Sequence, residues 1–233
     1  IAPAEASGYA NLGWAYLQFP DKLDSAEIML QHAMKLSPDN PDIAFLAAKM
    51  YELTNRQNEA IKVLQNTRKQ SPEHVLTLYQ LSEYYRQPSA VFDLQKAEEL
   101  LLAIVEIVPG NVAAQMKQIE LSIKNNHAKA ALFSMETVRQ IFPVLPADAV
   151  PIFNNAVQLL RENNTNQSLA QALMFHNLLK PTTYYRSGTT ELRGNAGPIP
   201  GSPIYRFTNL KIPIIDTQEN ILPTVEFVDV SDK

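Results

Sequence analysis

The sequence contains no cysteine, and this absence excludes a disulfide framework, a thiolate nucleophile and a cysteine-ligated zinc site. Charge is also scarce: 19% of the 233 residues are charged, and 20 lysines and arginines stand against 24 aspartates and glutamates. Nucleic-acid binding is not expected, because neutralising phosphates requires a basic surface. No apolar run reaches the roughly 18 residues of a membrane-spanning helix. With 45% hydrophobic residues, the chain is predicted to fold around a sizeable core.

Sequence motifs for catalysis and metal binding are missing as well. The chain contains no H-E-x-x-H, G-x-S-x-G, G-x-G-x-x-G or phosphate-loop sequence. Its four histidines have no partner at metal-ligand spacing. The adjacent Glu98 and Glu99 are interpreted as the outer face of a helix and not as an acid and base pair. The sequence therefore predicts a protein with no enzymatic activity, cofactor or metal ion.

What the sequence does contain is a repeat. Four alanines are each followed twelve residues later by a proline: Ala26 and Pro38, Ala60 and Pro72, Ala97 and Pro109, and Ala131 and Pro143. Apolar residues at helical spacing precede each alanine, so each repeat is predicted to form two amphipathic helices. The alanine lets the two helices approach closely, and the proline ends the second helix because it has no N–H. Asn40 and Asn111 are predicted N-caps of the helices that follow.

These residues resemble the tetratricopeptide repeat (TPR) family, whose pattern is W-x2-L-G-x2-Y, then A-x3-F, then P. The first repeat matches this pattern through Tyr9, Leu12, Gly13, Tyr16, Ala26, Leu30 and Pro38. The resemblance implies an all-α fold, an α-α superhelix or solenoid over residues 1–180, with repeats at 6–40, 41–74, 75–111 and 112–145. From residue 146 the period fades while helical spacing continues. Residues 146–180 are therefore predicted to be a degenerate helix pair that caps the solenoid.

The TPR resemblance also implies a peptide-binding groove on the concave face, lined by the first helix of each repeat at repeat positions 2, 5, 9 and 12. The residues that it places there are Trp14, Phe45, Lys49, Tyr79, Glu83, Arg86, Met116 and Glu120. Chaperone-binding members of the family hold a terminal carboxylate with Lys and Asn at positions 5 and 9 of the first repeat. This chain has Ala10 and Trp14 at those positions, so no carboxylate clamp is expected.

Three aromatic residues of this groove, Trp14, Phe45 and Tyr79, form a predicted stripe of the kind that marks an interaction surface. A core position is the alternative for Trp14, since a tryptophan on a helix is often buried. For Lys49, Glu83 and Arg86, the alternative to ligand binding is pairing with one another across repeats.

The composition changes after Pro181. Four of the seven glycines and six of the sixteen prolines fall in residues 181–233. We expect turns, polyproline II and short extended segments in this tail, and no helix of useful length. Residues 182–215 are too apolar for a free linker, so this segment is expected to pack in extended form against the helices. The more polar residues 216–224 are expected to form a connector.

The last residues, Val225 to Ser231, resemble the opening strand of an FG-GAP propeller as found in proteins with the ASPIC and UnbV-associated domain, related to cartilage acidic protein. This resemblance implies that the chain is the N-terminal part of a larger secreted or cell-envelope protein. Without it, a cytoplasmic location is expected.

Two functions follow from these patterns. The first is a noncatalytic scaffold that binds a protein or peptide partner, as an extended peptide or a helix, in its concave groove. The second is a structural spacer for a C-terminal propeller, with the groove filled by the chain's own tail. A third class of function is an enzyme whose catalytic residues lie after Lys233.

Overall fold

The computed structural model describes residues 3–194, which form eleven α-helices, one 3-10 helix and no strand. The helices are α1 (Pro3–Tyr16), α2 (Leu23–Leu36), α3 (Pro41–Leu53), α4 (Gln57–Gln70), α5 (Val75–Arg86), α6 (Leu94–Ile107), α7 (Val112–Lys124), α8 (Ala128–Ile141), α9 (Ala149–Arg161), α10 (Thr165–Leu179) and α11 (Thr183–Arg193). The 3-10 helix, Pro20–Lys22, directly precedes α2. Within residues 3–194, every helix is too short or too polar to cross a membrane.

The helices pack in consecutive pairs, from α1 with α2 to α9 with α10. In the four predicted repeats, the second helix of one pair also contacts the first helix of the next, so the pairs stack into a continuous array. We call α1, α3, α5 and α7 the first helices. The predicted all-α superhelix is confirmed, including the helix pair at residues 146–180.

The repeated small residues and caps act as the sequence predicts. All four repeat alanines, Ala26, Ala60, Ala97 and Ala131, are fully buried. The side-chain oxygen of Asn40 accepts hydrogen bonds from the backbone N–H groups of Asp42 and Ile43 at 3.0 and 3.3 Å. Asn111 accepts one from Ala114 at 2.9 Å. Both caps satisfy backbone donors that the first helical turn leaves unpaired.

Three of the turns inside the pairs share a feature that the sequence analysis does not predict. They are three-residue connections with a central asparagine in the left-handed region: Asn55, Asn126 and Asn163, with φ of 58°, 62° and 54°. Asparagine tolerates this conformation better than most non-glycine residues. The third pair has a longer connection, residues 87–93, and its repeat, 75–111, is three residues longer than the repeats 41–74 and 112–145.

The fifth pair makes one contact that the other pairs lack. Its first helix α9 contacts α8, as at the other repeat boundaries, and its second helix α10 also contacts the first helix α7. The pair is fixed by an apolar cluster in which Phe153 and Phe175 lie with ring centroids 5.4 Å apart. This cluster also contains Met116 and Ile119 of α7. The degenerate pair therefore shares one core with the fourth repeat.

The expectation of an extended, helix-free tail is wrong for residues 183–193, which form α11. Thr182 caps this helix by accepting a hydrogen bond from the Tyr185 N–H at 3.3 Å, and Gly194 ends it with φ of +78°. Tyr185, Gly188 and Leu192 recur at helical spacing and face the solenoid, so packing favours the helix. The rest of the segment predicted to be extended and the predicted connector, residues 195–224, lie outside the described residues.

The interpretation of Glu98 as an outer-face residue is also wrong. Its side chain is 2% exposed and accepts hydrogen bonds from Ser122 Oγ at 2.7 Å and Asn125 Nδ2 at 2.6 Å, and His127 Nδ1 lies 2.8 Å away. These partners lie in α7 and the turn after it. A buried carboxylate therefore joins the third repeat to the fourth, while the neighbouring Glu99 is exposed.

Candidate binding surface on the first helices

Seven of the eight predicted groove residues lie at repeat positions 5 and 9, which differ in burial, and the eighth, Arg86, is partly exposed. Position 5 is buried in every repeat: Ala10, Phe45, Tyr79 and Met116 are 0%, 6%, 4% and 1% exposed. Position 9 is partly exposed in every repeat, and we call its residues, Trp14, Lys49, Glu83 and Glu120, the position-9 stripe. The first helices therefore turn position 5 toward the packed interior and position 9 toward the surface. Phe45 and Tyr79 do not continue an exposed aromatic stripe from Trp14.

The charged members of the position-9 stripe are all paired. Lys49 Nζ lies 3.1 Å from Glu52 and donates to Gln80 Oε1 at 2.9 Å. Glu83 pairs with Arg86 at 2.7 Å and, across the repeat boundary, with Lys117 at 3.0 Å. Glu120 pairs with Lys124 at 2.6 Å and with Arg86 at 3.5 Å. Glu83 and Arg86 therefore pair with each other, but within α5 and not across repeats as the ion-pair alternative predicts, and Lys49 pairs with other residues.

Trp14 differs from the other members of the stripe because it is apolar and only partly covered. It is also the single tryptophan of the chain. A partly exposed tryptophan offers apolar area that a ligand would bury, and tryptophan is enriched among residues that dominate binding energy.

The polar groups at the C-terminal end of this surface are held in defined protonation states. Burial raises the pKa of Glu120, but the hydrogen bond from Lys124 and the charge of Arg86 outweigh it and lower this pKa overall. Burial lowers the pKa of His176 to about 4 and raises that of Tyr185. At neutral pH the Nε2 atom of an uncharged His176 therefore lies 2.7 Å from a protonated Tyr185 hydroxyl.

Helix α11 lies on the same side of the solenoid, because it packs against the first helices α5 and α7. Leu192 belongs to the apolar cluster that contains Phe45 and Tyr79. Gly194, which directly follows α11, lies close to the same cluster: an added methyl group there would lie 3.3 Å from Leu76 and 3.9 Å from Phe45. The C-terminal half of the surface, formed by α5 and α7, is therefore covered by a helix of the same chain, and the C-terminal end of this helix reaches Phe45 of α3.

Nothing in the described range suggests a metal centre: no three histidine, aspartate or glutamate side chains between residues 3 and 194 converge closely enough to hold an ion. Each histidine there has a packing or polar neighbour. His32 stacks on Tyr9 at 5.3 Å, and His74 lies 2.8 Å from Thr77 Oγ1. The arrangement is suited to binding through shape, ion pairs and apolar contact.

Comparison with known proteins gives similarity over part of the chain. No family model matches it. Over 111 residues, 47% of this chain, it is 31% identical to the human protein O-mannosyl-transferase TMTC3. The match spans only 12% of TMTC3, so that protein's activity is not transferred to this chain. The FG-GAP resemblance is not supported by these comparisons, and residues 225–231 lie outside the described range.

Among solved structures, the chain is similar to a crystal structure of the MamA protein, with a TM-score of 0.51 and 14% identity over 76% of this chain and 91% of that one. A second MamA crystal structure matches with a TM-score of 0.46, 15% identity and coverage of 70% and 93%. Because MamA is a TPR solenoid, the first of these matches and the paired helices agree on the architecture. This chain therefore has a TPR-like α-solenoid fold.

Proposed function

We propose that this protein is a noncatalytic protein–protein interaction scaffold, and that a partner's peptide or helix binds across the first helices at the N-terminal half of the concave surface. The observation that carries this proposal is the position of Trp14. In a stripe whose other members are charged and paired, it supplies a partly exposed aromatic anchor on the part of the surface formed by α1 and α3.

The contacts around Lys49 support the same site. Its ammonium group lies 5.7 Å from the centroid of the Phe45 ring and is neutralised by Glu52, and both charged side chains remain about one third exposed. A ligand that lies across α1 and α3 would therefore contact the Trp14 ring at one end and the Lys49 and Glu52 charge pair at the other. Such a surface orients an extended peptide or an amphipathic helix without burying an unpaired charge.

This proposal predicts that Trp14→Ala will weaken peptide binding by at least tenfold, about 1.4 kcal/mol, with little change in melting temperature. Ligands would be selected with the full chain from a random-peptide phage library, and the best sequence synthesised. Because Trp14 is the only tryptophan, its fluorescence emission should shift to shorter wavelength when that peptide covers it. The affinity of the labelled peptide for the wild-type chain and for the Trp14→Ala variant would be measured by fluorescence polarisation.

The matched control is Phe133→Ala. Phe133 is 71% exposed on α8, a second helix, so its loss should leave peptide affinity unchanged. Peptides that bind the wild-type chain and the Trp14→Ala variant equally well would contradict a site on the first helices. Peptides whose affinity depends on Phe133 would move the binding surface to the second helices.

The second candidate, a structural spacer with its own tail in the groove, is favoured by one observation, the docking of α11 on α5 and α7. The two candidates divide the same surface between them, since α11 covers its C-terminal half and Trp14 belongs to its N-terminal half. Loss of the selected peptides' affinity in the Trp14→Ala variant would favour the scaffold over the spacer.

A further inference from the structure

Helix α11 is attached to the solenoid by few contacts. Of its eleven residues, Gly188 and Leu192 are buried, Tyr185 and Thr189 are partly covered, and most of the others are exposed. A helix of this length is not stable alone in water, because nucleation costs more than its few backbone hydrogen bonds return. It therefore depends on the surface of α5 and α7 for its structure, whereas that surface belongs to a core built mainly from α3 to α7.

Asn111 makes the polar contacts that hold α11 to α7. The Asn111 side chain caps α7 with its oxygen, and its Nδ2 donates to the Gly188 carbonyl at 3.0 Å and to Glu191 Oε2 at 2.7 Å. The approach requires glycine, since a methyl group at Gly188 would lie 2.5 Å from Asn111 Oδ1 and 3.2 Å from the Ala113 nitrogen. Any larger residue at this position would separate the helix from its anchor.

Three further side chains of α11 contact the solenoid, and the ring of one of them, Tyr184, lies 4.8 Å from that of Phe142, directly after α8. Leu192 is 1% exposed and joins the cluster of Phe45 and Tyr79. Tyr185, one turn before Gly188, packs at the boundary of the two main apolar clusters and lies beside His176. The ligand pattern that this surface accepts is thus an aromatic residue, glycine three positions later, an acidic residue six positions later and leucine seven positions later, all on one helical face.

We infer that the surface of α5 and α7 is a binding site for an amphipathic helix with this pattern, and that α11 is an internal ligand which a partner protein's helix replaces. The inference deepens the proposed scaffold function and rests on it. The connection between α10 and α11 is short, so α11 competes at a high effective concentration, on the order of millimolar. A partner helix gains access only in proportion to the fraction of molecules with α11 released.

The test uses chains of all 233 residues and a fluorescein-labelled synthetic peptide of residues 182–194. In the Gly188→Ala chain the added methyl group should displace α11 and free the site, so the peptide should bind at least about tenfold more tightly than to the wild-type chain. The same peptide carrying Gly188→Ala should bind neither chain. The Gly8→Ala chain is the matched control, because a methyl group at Gly8 meets nothing within 4 Å, and it should behave as the wild type.

A second variant controls for misfolding of the Gly188→Ala chain. Leu192→Ala removes a buried contact from α11 without changing α5 or α7, so it should also increase peptide affinity while circular dichroism shows the solenoid intact. The inference is overturned if neither variant binds the peptide, or if the wild-type chain binds it as tightly as they do. It is likewise overturned if sedimentation shows that wild-type molecules dimerise by exchanging α11, since the ligand would then be a second copy.

One further measurement distinguishes a failure of the proposed function from a failure of this inference. Trp14→Ala should not change the affinity of the Gly188→Ala chain for the 182–194 peptide, because Trp14 lies outside the α5 and α7 surface. Selected peptides whose affinity does not depend on Trp14 would therefore remove the proposed site on α1 and α3 and leave the site on α5 and α7 standing.

Discussion

Replacing Glu98 with alanine is expected to lower the free energy of unfolding by about 3 kcal/mol. The buried carboxylate accepts two short hydrogen bonds, from Ser122 and Asn125, and lies against His127. Hydrogen bonds to a charged group contribute about 1.5–3 kcal/mol, and removing the acceptor leaves the buried Ser122 hydroxyl without this partner. The loss should appear in urea unfolding followed by circular dichroism.

Glu99→Ala is the control for this prediction. Glu99 is the next residue on the same helix but is exposed, so its replacement should change stability by no more than about 0.5 kcal/mol. Equal small effects from both substitutions would show that the Glu98 network does not join the third and fourth repeats.

Phe175→Ala should cost about 3–5 kcal/mol, because it removes a fully buried aromatic ring and leaves a cavity. The ring packs on Phe153 in the cluster that α7 shares with α9 and α10. The loss should therefore destabilise the fourth repeat together with the fifth pair, and circular dichroism should record one shifted unfolding transition. Met174→Ala, at a neighbouring side chain that is 49% exposed, should change stability much less.

An unchanged melting temperature for Phe175→Ala would mean that residues 146–180 are not part of the solenoid core. A second, separate transition at lower temperature would mean that the fifth pair unfolds alone, which contradicts the shared cluster.

The helix pairs were predictable from the sequence because their signals are local. The alanine and proline pairs place a close helix contact and a helix end twelve residues apart, and both depend on residues within one repeat. The partly exposed position of Trp14 was predictable for a related reason, since the repeat register assigns it the same surface position as Lys49, Glu83 and Glu120.

The burial of Glu98 and helix α11 were not predicted from the sequence, for two different reasons. Glu98 is buried because residues of the next repeat surround it, and no pattern within α6 reports this. Helix α11 did carry local signals, the Thr182 cap and the helical spacing of Tyr185, Gly188 and Leu192. The glycines and prolines that follow residue 194 favour turns and extended segments, and in the composition of residues 181–233 they mask these signals.

The central claim is that the first helices form a ligand surface and that α11 already occupies half of it. Native-state hydrogen exchange of the full chain, read by mass spectrometry, tests this claim most directly. Docking predicts that backbone amides of residues 183–193 exchange at least about tenfold more slowly than in the isolated 182–194 peptide, yet faster than those of α7, because α11 opens without global unfolding. Exchange of residues 183–193 at the rate of the free peptide would contradict the claim.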